Sequence, residues 1–132
     1  MVKKIITKDD IELPALFECV EDYGGYVIVR LTGIDDSTVV SQHDREIDAV
    51  KEELDLLNRH IIADFSNVTK IDSSTVAAIL LRVKELMEHG RQLFFINASE
   101  ELEGLVAVHK LSNIIKFYET EKDALRALEL LE

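Results

Sequence analysis

The 132-residue chain has one cysteine, one proline and five glycines, and no apolar run that approaches a membrane span. With Cys19 alone no internal disulfide can form, so the fold must stand on its core, and a reducing cytoplasm is the compartment implied. Cys19 itself reads as a small apolar residue of a core strand. Scarce glycine and proline beside a hydrophobic content of 47% exclude a collagen-like or disordered chain. The N-terminal Lys3-Lys4-Ile5-Ile6-Thr7 lacks the apolar centre of a signal peptide. Basic residues are few: 15 Lys and Arg stand against 26 Asp and Glu, for a net charge of −11. The excess is spread along the chain, −7 over residues 1–60 and −4 over 61–132. Such a surface repels nucleic acid and anionic membranes, and it suits a basic protein partner or simple solubility.

Catalytic patterns are equally scarce. His43, His60, His89 and His109 are isolated, and none forms the short-spaced pair with a carboxylate or thiol that a zinc site uses. Each reads as a surface or helix-end residue. No glycine-rich phosphate loop follows a strand, because the only adjacent glycines, Gly24-Gly25, belong to a hairpin turn. Ser73 lacks both the flanking glycines of a nucleophile elbow and an identifiable base, which makes it a hydroxyl acceptor and not a catalyst. No enzymatic activity, metal or cofactor is expected.

What the chain does have is a clear central unit. The apolar run Ile61-Ile62-Ala63-Asp64-Phe65 reads as a strand, and after a polar loop Ile71-Asp72-Ser73-Ser74-Thr75 opens a helix. Apolar residues then fall at Val76, Ile79, Leu80, Val83, Leu86 and Met87, the recurrence of a helix that buries one stripe. Ser73 or Ser74 is placed to cap its first turn, a contact worth about 1 kcal/mol. The neighbouring hydroxyl is left facing water in a field that favours added negative charge, a good place for a phosphate.

Around this unit the chain reads as a single domain, large enough to bury roughly two-thirds of its unfolded surface. Residues 1–14, ending in Pro14, form an N-terminal extension with a short edge strand within it, and residues 15–132 form the domain. Leu16-Phe17-Glu18-Cys19-Val20-Glu21 and Tyr26-Val27-Ile28-Val29-Arg30-Leu31 make a hairpin about Gly24-Gly25. Val27, Val29 and Leu31 share one face of the second strand, and Tyr26, Ile28 and Arg30 the other, as in a central strand. A polar turn at Gly33-Ile34-Asp35-Asp36-Ser37 leads to a helix over about 41–58 with an acidic outer face. Gly90 stops the central helix. Leu93-Phe94-Phe95-Ile96 then reads as a buried parallel strand, Ser99 caps a helix to about His109, Ile114-Ile115-Lys116-Phe117-Tyr118 is a last strand, and Thr120 opens the terminal helix. The order β-β-α-β-α-β-α-β-α calls for an α/β fold. Its sheet is mixed and mostly parallel, with four to five strands and about four helices.

The run Asp64-Phe65-Ser66-Asn67-Val68-Thr69-Lys70-Ile71-Asp72-Ser73-Ser74 resembles the signature of the STAS domain, in the form found in bacterial anti-sigma factor antagonists. Gly33-Ile34-Asp35-Asp36 resembles the Gly-Glu-Leu-Asp turn of the same family, and the likeness covers roughly residue 26 to the C-terminus. The resemblance implies a STAS fold and a partner-switching role in transcription regulation. In that family the serine after the aspartate is phosphorylated by an anti-sigma factor that is also a serine kinase, and a serine phosphatase reverses it. The unmodified antagonist binds the anti-sigma factor and frees the sigma factor. Carried over by position, Ser73 is the phosphate acceptor, Ser74 the alternative, and Asp36, Asp72, Ser73, Ser74 and Thr75 form the partner-binding surface. The partners implied are the kinase and the phosphatase, with no nucleic acid or membrane, and a weak homodimer is compatible.

One departure from the family pattern stands out. Family members continue Ser-Ser-Gly-Leu-Gly, whereas this chain continues Ser74-Thr75-Val76-Ala77. Replacing both glycines favours the helix but adds bulk where a kinase approaches the backbone. Two alternative roles follow: a non-phosphorylated scaffold subunit of a larger signalling assembly, or an accessory protein binding a small ligand or serving lipid transport.

Overall fold

The computed structural model describes residues 4–7, 9–10, 17–32, 59–68, 92–108 and 110–130. Within them six strands form one sheet in sequential order: β1 (Lys4–Thr7), β2 (Phe17–Asp22), β3 (Tyr26–Thr32), β4 (His60–Asn67), β5 (Leu93–Ile96) and β6 (Ile115–Tyr118). The pairs β1/β2 and β2/β3 are antiparallel, and β3 to β6 run parallel. Two helices are described, α1 (Glu100–Val108) and α2 (Glu121–Glu129). The helices expected over 41–58 and after Ser74 lie outside the described residues.

With the edge strand expected in residues 1–14 joined to the sheet, the four to five strands expected for the domain become six. Lys4–Thr7 pairs along the outer edge of β2, with Ile6 opposite Val20 and only 3% exposed. One buried isoleucine contributes about 1.5–3 kcal/mol, enough to recruit a short edge strand that its local sequence specifies weakly.

Strand alternation sorts the core into two layers. Val27, Val29, Ile61, Ala63, Leu93 and Phe95 lie on one face, where Leu102 and Val106 of α1 join them. Ile28, Ile62, Phe94 and Ile96 lie on the other, packed against Ala124 and Leu128 of α2. β3, β4 and β5 are therefore covered on both sides, which accounts for their nearly continuous apolar sequences. Both helix starts follow their expected caps: Ser99 Oγ accepts from the Leu102 amide at 3.2 Å, and Thr120 Oγ1 from the Asp123 amide at 3.2 Å. In the hairpin, Gly24 takes φ 96°, a conformation open to glycine and costly for other residues. Its amide donates to Asp22 Oδ1 at 2.8 Å.

Cys19 is half-buried beside β3, where burial first, then the nearby Glu21 and Glu18, push its thiol pKa up. His60 opens β4, and its Nδ1 accepts from the Gln92 amide at 3.0 Å. The half-buried ring thus ties β4 to the start of β5. The other three histidines lie outside the described residues.

The parallel strands all exit at one end of the sheet. There the β3/β4 register shifts between Arg30 and Thr32, so that Arg30 pairs with Asp64 but Thr32 with Asn67. β4 gains a residue over its neighbour at its exit, the kind of bulge that redirects a strand near a functional site.

Candidate functional site

Asp64 is the one buried charged residue among the described residues, 6% exposed near the exit of β4. A carboxylate there needs partners, since an unpaired buried charge is costly. Its Oδ1 accepts from the Ser66 amide at 2.9 Å and from Asn97 Nδ2 at 3.1 Å, while its Oδ2 accepts from Arg30 Nη1 at 2.8 Å. The first bond is local and begins the turn out of β4, continued by the Val68 amide donating to the Phe65 carbonyl at 3.0 Å. The second ties that exit to the exit of β5, where Asn97 holds φ 57°. The third follows from register, because Arg30 and Asp64 are cross-strand partners on the same face.

Arg30 serves three carboxylates. It donates to Glu21 through Nε and Nη2 at 2.9 and 3.0 Å, to Asp64 through Nη1, and pairs with Glu121 of α2 at 2.8 Å. Tyr23 adds its hydroxyl to Glu21 at 2.8 Å. One guanidinium thus joins β2, β3, β4 and the start of α2, and the spot keeps a negative balance. Burial pushes the Asp64 pKa up, but the bonds from Ser66, Asn97 and Arg30 outweigh it and hold the carboxyl below its ordinary range. Glu21 is lowered chiefly by its hydrogen bonds from Arg30. Tyr23 is pushed up to about 12 by burial and then by Glu21. Asp64 and Glu21 are thus held in their charged forms near neutral pH, Tyr23 keeps its proton, and the cluster ties the exit of β4 to its neighbours.

Of the residues singled out in the sequence, Asp64, Phe65, Ser66, Asn67 and Val68 are seen to form this anchored exit. Asp36, Asp72, Ser73, Ser74 and Thr75 lie outside the described residues. Val68, the last residue described here, is five positions before Ser73. Arg30, Asn97 and Glu121 were not foreseen as supports of this exit. The available signal was Arg30 itself, a charge on the inner face of an apolar strand that must find counter-charges. Among the described residues no group of three His, Cys, Asp or Glu could hold a metal ion. No helix among them is long and apolar enough to cross a membrane.

The STAS domain matches residues 19–124, most of the chain. The chain belongs to the STAS domain family. In the structure the anchored Asp64 stands at the head of the stretch that resembles the family signature. The STAS fold is also that of solved structures. The crystal structure of the Thermotoga maritima protein TM1081 has a TM-score of 0.67 at 17% identity, covering 87% of this chain and 96% of that one. The Bacillus cell fate determinant SpoIIAA in its phosphorylated form has a TM-score of 0.59 at 23% identity, covering 83% and 96%. A serine-to-glutamate variant of RsbS from Moorella thermoacetica has a TM-score of 0.60 at 13% identity, covering 85% and 96%. At these identities the likeness is one of fold.

Proposed function

We propose that this STAS protein is a non-enzymatic anti-sigma factor antagonist that acts by reversible binding to a kinase-type anti-sigma factor. In this reading unmodified Ser73 belongs to the partner-binding surface with Asp36, Asp72, Ser74 and Thr75. Phosphorylation by the partner's kinase activity releases the complex, and a serine phosphatase restores binding. The observation that carries the reading is the anchored Asp64 at the head of the Asp64-to-Ser74 signature, within a STAS domain. SpoIIAA, solved as an anti-sigma factor antagonist in an unphosphorylated form and as a cell fate determinant in a phosphorylated one, supports it by analogy.

The switch needs little machinery. A phosphate adds about −1.5 to −2 charge at neutral pH, close in sequence to Asp72, and the helix start expected there from the sequence would tolerate that charge. The domain stays folded while a partner packed on the same spot meets steric bulk and repulsion. Incubation with the cognate kinase and ATP is expected to add one phosphate to the wild type and none to Ser73→Ala. Modification that persists in Ser73→Ala and vanishes in Ser74→Ala would move the site to Ser74. A second reading, a non-phosphorylated scaffold subunit, is favoured by Thr75 and Ala77 standing where the family carries glycine. No incorporation with a kinase that binds the protein would select it.

A further inference from the structure

A groove of about 230 Å³ lies at the exits of β5 and β6, lined by Asn97, Ala98, Glu103, Phe117, Tyr118 and Glu119. It is smaller than the roughly 300–1,000 Å³ of sites that enclose a small molecule. Its size suits one long side chain presented by another surface. Its chemistry is one-sided. Asn97 gives one of its two amide N–H groups to Asp64, and its carbonyl oxygen is an acceptor. Glu103 and Glu119 are exposed, and neither carboxylate is engaged by a donor among the described residues. Phe117 is half-buried in the wall, its ring held edge-on to Phe95 at 5.6 Å.

The contrast with the acids nearby is informative. Glu21, Asp64 and Glu121 share Arg30, and Asp22 has Arg59 at 2.7 Å. Lys116, the nearest cation along β6, points to the opposite face from Phe117 by strand alternation. The start of α1 would attract an anion, but Glu100, Glu101 and Glu103 in its first turn already occupy that field. What fits three acceptors beside an aromatic ring is a cation rich in N–H groups. We propose that this groove receives the guanidinium of an arginine side chain presented by a protein partner. Arginine is favoured over lysine because its planar fork reaches two acceptors at once and stacks on an aromatic face. A chain with net charge −11 complements a basic partner surface. The identity of that partner rests on the antagonist reading, whereas the cation preference of the groove stands on its own residues.

The test has two arms, both with the intact chain. In the first, the amide spectrum of isotope-labelled protein is followed during titration with N-acetyl-arginine amide and, separately, its neutral citrulline analogue. Saturating shifts are expected at Asn97, Ala98, Glu103, Phe117, Tyr118 and Glu119 with arginine and not with citrulline. The double variant Glu103→Gln/Glu119→Gln should weaken that response at least fivefold while lowering the melting temperature by no more than about 5 °C, the share Glu103 supplies in the first turn of α1. Scattered shifts, or equal shifts with citrulline, would overturn the proposal. In the second arm, binding to the kinase-type anti-sigma factor is measured for the double variant and for Ser73→Asp in parallel. A fivefold or greater loss in the double variant supports the groove, whatever Ser73→Asp does. Loss in Ser73→Asp alone overturns the groove as the docking site for this partner and spares the antagonist reading, and loss in the double variant alone supports the groove and overturns Ser73 as the switch.

Discussion

Replacing Asp64 by Asn keeps the shape of the side chain and removes its charge, which makes it the sharpest probe of the anchored strand exit. The carboxylate now accepts from three donors, Ser66 N, Asn97 Nδ2 and Arg30 Nη1. An amide has one oxygen. Turned toward Ser66 and Asn97, it sets its own NH₂ against Arg30 Nη1, where the present contact is 2.8 Å. Turned toward Arg30, it leaves two donors without an acceptor. Either way a charge-assisted bond or its equivalent is lost in a site whose carboxylate is only 8% exposed, a loss of about 1.5–3 kcal/mol. Arg30 keeps Glu21 and Glu121, which limits the damage. At about 3–5 °C per kcal/mol for a domain of this size, the melting temperature should fall by roughly 5–15 °C at pH 7. The pH dependence supplies a second check. The folded pKa of Asp64 lies below its unfolded value of about 3.9, so its contribution is complete above that value and is lost as pH falls through the folded one. The gap between wild type and Asp64→Asn should therefore be constant from pH 7 to about 5 and close below about pH 4. Urea unfolding at pH 7, 5 and 3 measures it. A variant within 0.5 kcal/mol of wild type at pH 7, or a gap that persists unchanged at pH 3, would refute the reasoning.

Three further variants test separate parts of the account. Gly24→Ala places a Cβ at φ 96° in the hairpin turn and should cost about 1–2 kcal/mol by thermal or urea unfolding, while the equivalent change at exposed Gly104 of α1, where a Cβ meets no atom within 4 Å, should stabilise by up to about 1 kcal/mol. Thr75→Gly should speed phosphorylation of Ser73, read as the rate at matched folded fraction, while costing a few tenths to about 1 kcal/mol of stability. An unchanged rate would mean that the kinase accommodates Thr75.

The parts of the fold legible in the sequence are those with a local cause. Alternation along Tyr26 to Leu31 separates Val27, Val29 and Leu31 from Tyr26, Ile28 and Arg30, and those residues occupy opposite layers of the structure. Ser99 and Thr120 announce two helix starts because a cap needs only its own next three residues. Less legible were features set by distant neighbours. β1 is held by the pairing of Ile6 with Val20, and nothing within Lys4–Thr7 itself signals that partner. The acids around Arg30 come from positions 21, 64 and 121, and only the sheet order and the packing of α2 bring them together. Asn97 likewise reads as an ordinary loop residue until the exits of β4 and β5 are seen side by side. The signature from Asp64 to Ser74 was readable as a pattern, whereas the reason its aspartate is held lay in residues that flank it in space.

The central claim is that added negative charge at Ser73 controls the hold on the partner. The direct measurement is calorimetric titration of the kinase-type anti-sigma factor with Ser73→Ala and Ser73→Asp side by side. The account predicts wild-type affinity for the alanine variant and a loss of about 1–3 kcal/mol, roughly 5- to 150-fold in Kd, for the aspartate variant. Equal affinity of the two would contradict it.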